Sequence, residues 1–191
     1  MFAGIMFSRI AAKLHDYPGY EGPDMFREYP QLRANFLLGP RLAALGRAVP
    51  NLGDSGATGL VTTKLADPAI TFMGYRYTGD PTMAVAAVRQ NGGKVRPLVE
   101  DVFMADPEEL AGKVEALARA AGPRPVGGSL LSGYGLALLE VGHGAGETAL
   151  ACNYGRTLFH GHADILNFDL LAFGRWLAPD LGYPEFATNW P

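Results

Sequence analysis

Apolar residues near the start of the chain recur with helical spacing. Ile5, Met6, Ile10, Ala11 and Leu14 predict a helix over residues 3–15. Pro18, Gly19, Gly22 and Pro23 then break any helix and mark a turn over 16–23. A second helical stretch is predicted from Asp24, kinked or broken near Pro30 and Pro40. Three Asp-Pro pairs punctuate the middle of the chain: Asp67-Pro68, Asp80-Pro81 and Asp106-Pro107. Asp can accept from the orphan amides of a first turn, and Pro suits the first helical position. The third pair carries the strongest signal, because Glu109 occupies the capping-box position. Leu110, Val114, Leu117 and Ala121 then form one apolar face.

The period changes after Gly122-Pro123-Arg124-Pro125-Val126-Gly127-Gly128. Leu136–Val141 and Thr148–Cys152 are short apolar runs bounded by glycines, which predicts strands of a buried antiparallel sheet. Gly142-His143-Gly144-Ala145-Gly146 reads as the hairpin loop between them. Residues 3–120 are therefore expected to be mainly helical and residues 130–180 mainly strands. Helices followed by strands argue for the α+β class, or for two domains, over residues 1–122 and 129–191.

Composition narrows the function classes. The 191 residues are 48% hydrophobic, enough to bury a core. A net charge of −3, with scattered Lys and Arg, leaves no footprint for nucleic acid. No apolar run reaches the ~20 residues of a membrane span. The single cysteine, Cys152, excludes an intramolecular disulfide, and its apolar neighbours predict a buried, inert thiol.

Two of the four histidines fall in His160-Gly161-His162-Ala163-Asp164. On a strand, residues two apart share a face, so His160, His162 and Asp164 would point the same way. Two imidazoles and a carboxylate suit a metal site, an acid–base site, or both. A turn at Gly174 and a return strand would bring Asp180 back toward His162. Duller roles compete elsewhere. Asp164 is expected to bind backbone at a turn, and Gly53-Asp54-Ser55-Gly56 to form a tight loop or helix cap, ahead of a nucleophilic role for Ser55. His15 and His143 are expected to be solvated. Tyr154, Trp176, Tyr183 and Trp190 could line a sugar cleft but more often pack as core.

Phe159–Phe168, Phe173-Gly174-Arg175 and Pro179-Asp180-Leu181-Gly182-Tyr183 together resemble the signature of heparinase II/III-type polysaccharide lyases. The similarity is strongest over residues 130–191 and weaker upstream, where Pro50–Gly56 resembles a loop near the end of that family's helical domain. The resemblance implies the tail of an (α/α) toroid followed by the first strands of an antiparallel β-domain. It implies cleavage of an acidic, uronate-containing polysaccharide by β-elimination, in the periplasm or cell envelope. It gives His160 a catalytic role facing the substrate, and makes His162 and Asp180 ligands of a structural zinc. The family's third zinc ligand is a later histidine, and none follows His162 here. Its catalytic tyrosine is expected upstream of Met1, with Tyr20 and Tyr29 the nearest substitutes. The chain is thus expected to be a fragment, inactive alone. The competing reading is a non-catalytic carbohydrate-binding or structural β-domain that keeps a partial zinc site.

Overall fold

A computed structural model of the chain describes residues 2–46, 49–50, 67–100, 106–155 and 166–180. Among these residues eight α-helices precede a five-stranded antiparallel sheet, which is the α+β order. The chain divides into two compact units, Met1–Arg41 with Asp67–Pro123, and Leu42–Ala66 with Arg124–Pro191.

The first unit is helical. Helix α1 (Phe2–His15) buries its small-residue side, with Ile5, Ser8, Ala11 and Ala12 inside. The Ser8 hydroxyl donates to Leu32 O at 2.7 Å and accepts from Asn35 Nδ2 at 3.1 Å, so its burial leaves no polar atom stranded. The proline-rich stretch becomes three short helices: α2 (Met25–Glu28), α3 (Gln31–Asn35) and α4 (Leu38–Leu42), whose last residue belongs to the second unit. Asp24 caps α2 through bonds from Phe26 N and Arg27 N.

Helices α5 (Pro68–Thr78) and α6 (Pro81–Gln90) begin at Asp-Pro pairs. Asp67 accepts from Ala69 N, and Asp80 from Thr82 N, each at 2.9 Å. A Cβ on Gly74 would lie 2.5 Å from Phe36 Cβ and 2.6 Å from Met83 Sδ, so only glycine permits the packing against Phe36 and Met83. After α7 (Arg96–Val99) comes α8 (Pro107–Ala120). Here the capping expectation is corrected. Asp106 sits at φ −140°, ψ 73°, makes no side-chain cap bond, and Glu109 instead pairs with Lys113 one turn on. Ala111 and Val114 are buried, with Leu110, Leu117 and Ala118 packed beside them. Ala121, expected on that face, is the exposed C-cap residue.

The second unit holds the sheet, in the order β1 (Ser129–Leu131), β2 (Leu136–Val141), β3 (Thr148–Asn153), β4 (Asn167–Ala172) and β5 (Arg175–Ala178). Register places Leu138 opposite Ala151 and Ala151 opposite Asp169, so these share a face. Leu136, Leu138, Glu140, Ala149, Ala151, Asp169 and Leu171 are buried on that side. The expectation of a sheet buried throughout is corrected by its other face, where Leu130, Leu139, Val141 and Phe168 are exposed. Cys152 lies on that open face between Ala137 and Phe168, half-buried rather than enclosed.

Residues 42–46 group with the sheet, although helical continuity alone would place them with residues 1–122. The buried Glu140 carboxylate explains this. Its Oε1 accepts from Leu45 N at 2.5 Å and its Oε2 from Arg124 Nη1 at 2.6 Å. Arg124 Cδ also lies against Gly46, where an added Cβ would meet it at 2.8 Å. A carboxylate on the packed side of a strand must find donors, and it finds them on a distant segment.

Candidate functional site

The site is built at the end of the sheet where β3 finishes and β4 begins. Strand β3 ends at Asn153, which pairs in register with Asn167, the first residue of β4. Gly135 accepts from Tyr154 N at 2.7 Å and from Gly155 N at 3.0 Å. The Asn153 side chain also accepts from Gly155 N at 3.2 Å. The two glycine backbones nearly touch: a Cβ on Gly135, at φ +83°, would fall 2.2 Å from Gly155 Cα. No side chain fits there, so the path leaving β3 is fixed by two glycines. On the return, Leu166 N donates to Asn153 O at 2.9 Å. Both flanks of residues 156–165 are thus tied to the same strand end.

The β4–β5 hairpin completes the arrangement. Ala172 pairs with Arg175, leaving Phe173 and Gly174 as a two-residue turn with φ of 53° and 71°. Positive φ at both central residues matches the twist of a tight antiparallel hairpin. The pairing shifts register between Leu170 and Leu171, and β5 then carries the chain back to Asp180. Asp180 N donates to Asp169 Oδ1 at 2.5 Å, and Asn167 Nδ2 donates to Asp180 Oδ2 at 2.7 Å. Phe168 N donates to Asn167 Oδ1 at 2.8 Å, which turns the Asn167 amide nitrogen toward Asp180.

Two groups here have shifted acidity. Burial, with the nearby Asp180 charge, pushes Asp169 up to about 6, while the bond from Asp180 N pulls the other way. Burial also raises the phenol of Tyr134, in the turn before Gly135. Sequence reasoning misses Asp169, Asn167 and Tyr134. The polar Asn167 and Asp169, alternating within an otherwise apolar strand, are the available signal for the first two.

Of the expected site residues, Asp180 stands at this sheet end, hydrogen-bonded to Asn167. His160 and His162 lie outside the described residues, as do Asp164, Ser55, Tyr183 and Trp190. Tyr20 donates its hydroxyl to Pro23 O, within its own turn, and His15 lies 3.8 Å from Asp24. His143 is exposed in the β2–β3 loop. A carboxylate steadied by an amide is an acceptable zinc donor. Among the described residues no three His, Cys, Asp or Glu side chains form a metal-binding group. Of the two expected zinc ligands, Asp180 is among the described residues and His162 is not. No described helix is long and apolar enough to cross a membrane. No protein-family model matches the chain, and no curated protein matches its sequence.

Proposed function

We propose that this chain is the seam of a heparinase II/III-type polysaccharide lyase, joining the tail of a helical toroid to the start of a β-domain. One observation carries the reading. The hairpin returns Asp180 to the strand end from which residues 156–165, with both histidines of the His-Gly-His run, depart and re-enter. Two histidines in that segment of the sequence, with a carboxylate, are residue types that a uronate lyase needs.

β-Elimination removes the proton beside the uronate carboxylate, shifts the electron pair into a new double bond, and releases the O4 leaving group, which takes up a proton. General acid–base assistance contributes about 10²–10⁴ in rate. His160 is the group assigned to that proton traffic. His162 and Asp180 would hold zinc, whose contribution when bound is to cross-link neighbouring strands and add its binding energy to folding. Asn167 orients the Asp180 carboxylate, and the Gly135–Gly155 contact sets the path of the chain into the histidine segment. The substrate class is an acidic polysaccharide, and the setting is the periplasm or cell envelope.

The test is the ultraviolet absorbance of the unsaturated uronate produced by elimination, measured over a panel of uronate polymers. The protein assayed is one that carries this chain together with toroid sequence upstream and further β-domain downstream. His160→Ala should abolish most turnover while leaving bound zinc unchanged. His162→Ala should reduce zinc content and thermal stability first. The 191-residue chain alone should turn over little. Strong elimination by that chain alone would misplace the catalytic groups. Sugar binding without elimination by the extended protein would establish a carbohydrate-binding module instead.

A further inference from the structure

We infer that the outward face of α1 is a docking surface for an anionic phospholipid bilayer, a role beyond the lyase reading. The helix packs into its unit through Ile5, Ser8, Ala11 and Ala12, all buried. Its opposite side carries large apolar groups in the open: Met6 at 57%, Phe7 at 62%, Ile10 at 50% and Leu14 at 37% exposure. At about 100° per residue these four fall within one sector of about 100°. Arg9 and Lys13, both exposed, fall beside that sector along one edge. Tyr17, 69% exposed, lies just beyond the helix end. A wet phenol beside an apolar stripe suits the headgroup layer.

Charge selects the occupant. Helix α1 contains Arg9, Lys13 and His15 and no acidic residue, in a chain whose net charge is −3. The cationic edge therefore runs against the sign of the whole molecule. The next acid, Asp16, is engaged by the Tyr77 hydroxyl. A second copy of α1 packed antiparallel would bring like-charged edges together. A partner helix would also have little to grip. The stripe from Met6 to Leu14 is about 12 Å long and about one helix diameter, ~10 Å, wide, an area far short of the ~800 Å² per side of a stable protein interface. A bilayer needs no matching shape. It accepts a helix lying in the interfacial plane through apolar insertion and attraction of the cations to anionic headgroups.

The full 191-residue chain is sedimented with vesicles of phosphatidylcholine alone, or of phosphatidylcholine with one third phosphatidylglycerol. It should pellet with the anionic vesicles and partition much less onto the neutral ones. Each cation contributes roughly fivefold at an anionic surface, so Arg9→Glu/Lys13→Glu should weaken binding at least about 25-fold. Phe7→Asp/Ile10→Asp should abolish it with the circular dichroism unchanged, because both side chains are already exposed. Raising the salt should release the wild-type chain. Failure to pellet with anionic vesicles overturns the inference, as does equal binding to both vesicle types or binding insensitive to both double variants. A concentration-dependent dimer that Ile10→Asp dissociates would overturn it too, by assigning the stripe to a second copy.

Discussion

Replacing Arg124 by Met tests whether the Glu140 carboxylate is what ties residues 42–46 to the sheet. The Glu140 side chain is 6% exposed and that of Arg124 26%. Met keeps an apolar stem beside Gly46 and removes the guanidinium, leaving a buried carboxylate with Leu45 N as its donor. Stranding one member of a buried ion pair costs about 3–5 kcal/mol. Two features of this pair lower that figure. Water can approach along the quarter-exposed arginine, and Arg124 Nη2, buried without a partner among the described residues, already costs the native fold about 1 kcal/mol. The expected loss at neutral pH is about 2 kcal/mol. Glu140→Leu should cost a similar amount, because it leaves Leu45 N without an acceptor. The double variant should lose only about 1–2 kcal/mol, well below the sum of the singles, since no charge is left stranded. Urea titration followed by tryptophan fluorescence is the assay, because Trp176 lies on β5 of the sheet. With a slope of about 2 kcal/mol/M, each single variant shifts the midpoint by about 1 M. Single effects that add within about 0.5 kcal/mol would refute the coupling, and with it this account of why residues 42–46 leave the helices.

Asp169, raised to about 6, binds its proton more tightly in the folded chain than an ordinary carboxylate does. Its contribution is therefore complete below about pH 4 and lost as pH rises through about 6. Asp169→Asn should raise the unfolding midpoint at pH 7, by on the order of 2 kcal/mol of stability, and should leave pH 4 nearly unchanged. Parallel pH curves for variant and wild type would contradict this. Phe173→Asn should stabilise the chain by about 1 kcal/mol, because Phe173 is 76% exposed yet holds a left-handed turn position that Asn tolerates far better. Thermal melts showing a loss would refute the turn assignment. Asp67→Ala should cost about 1 kcal/mol by removing a real cap, whereas Asp106→Ala should cost less than half of that. Equal losses in chemical denaturation would show that Asp106 caps its helix after all.

The elements most legible in the sequence were those with a local cause. Leu136–Val141 and Thr148–Asn153 announce themselves as strands through short apolar runs closed by glycines, and the structure adds only Asn153 to the expected spans. Gly174 marks the β4–β5 turn for the same reason. The Asp-Pro signal worked at Asp67 and Asp80 and failed at Asp106, where the backbone angle before the helix turns the carboxylate away. Long-range partners were invisible. Leu45 and Glu140 are 95 positions apart, and nothing local predicts that an amide in one region will satisfy a carboxylate in the other. Positive φ at Leu45, Leu166 and Phe173 was equally hidden, because residue type alone would have placed glycine there. At the candidate site, the hairpin that returns Asp180 followed from spacing, whereas the ligand role expected of Asp180 came from the resemblance alone. Asn167 and Asp169 stood out only as two alternating polar positions in an apolar strand, a pattern that does not by itself mark a site.

The strand lengths bear on how the protein behaves when concentrated. Among the described residues the three strands of six residues are interior, and the sheet is bordered by β1, with three residues, and β5, with four. An unpaired edge is a template for adding another chain's strand, and its reach scales with its length and flatness. Here one rim offers only a three-residue stretch of ladder. The other opens with Arg175 and is thrown out of register at Leu170/Leu171. Strand-by-strand growth into fibrils is therefore disfavoured at both of these borders. Insoluble material formed by the folded chain should be amorphous, collected through apolar surfaces, and should not stain as cross-β.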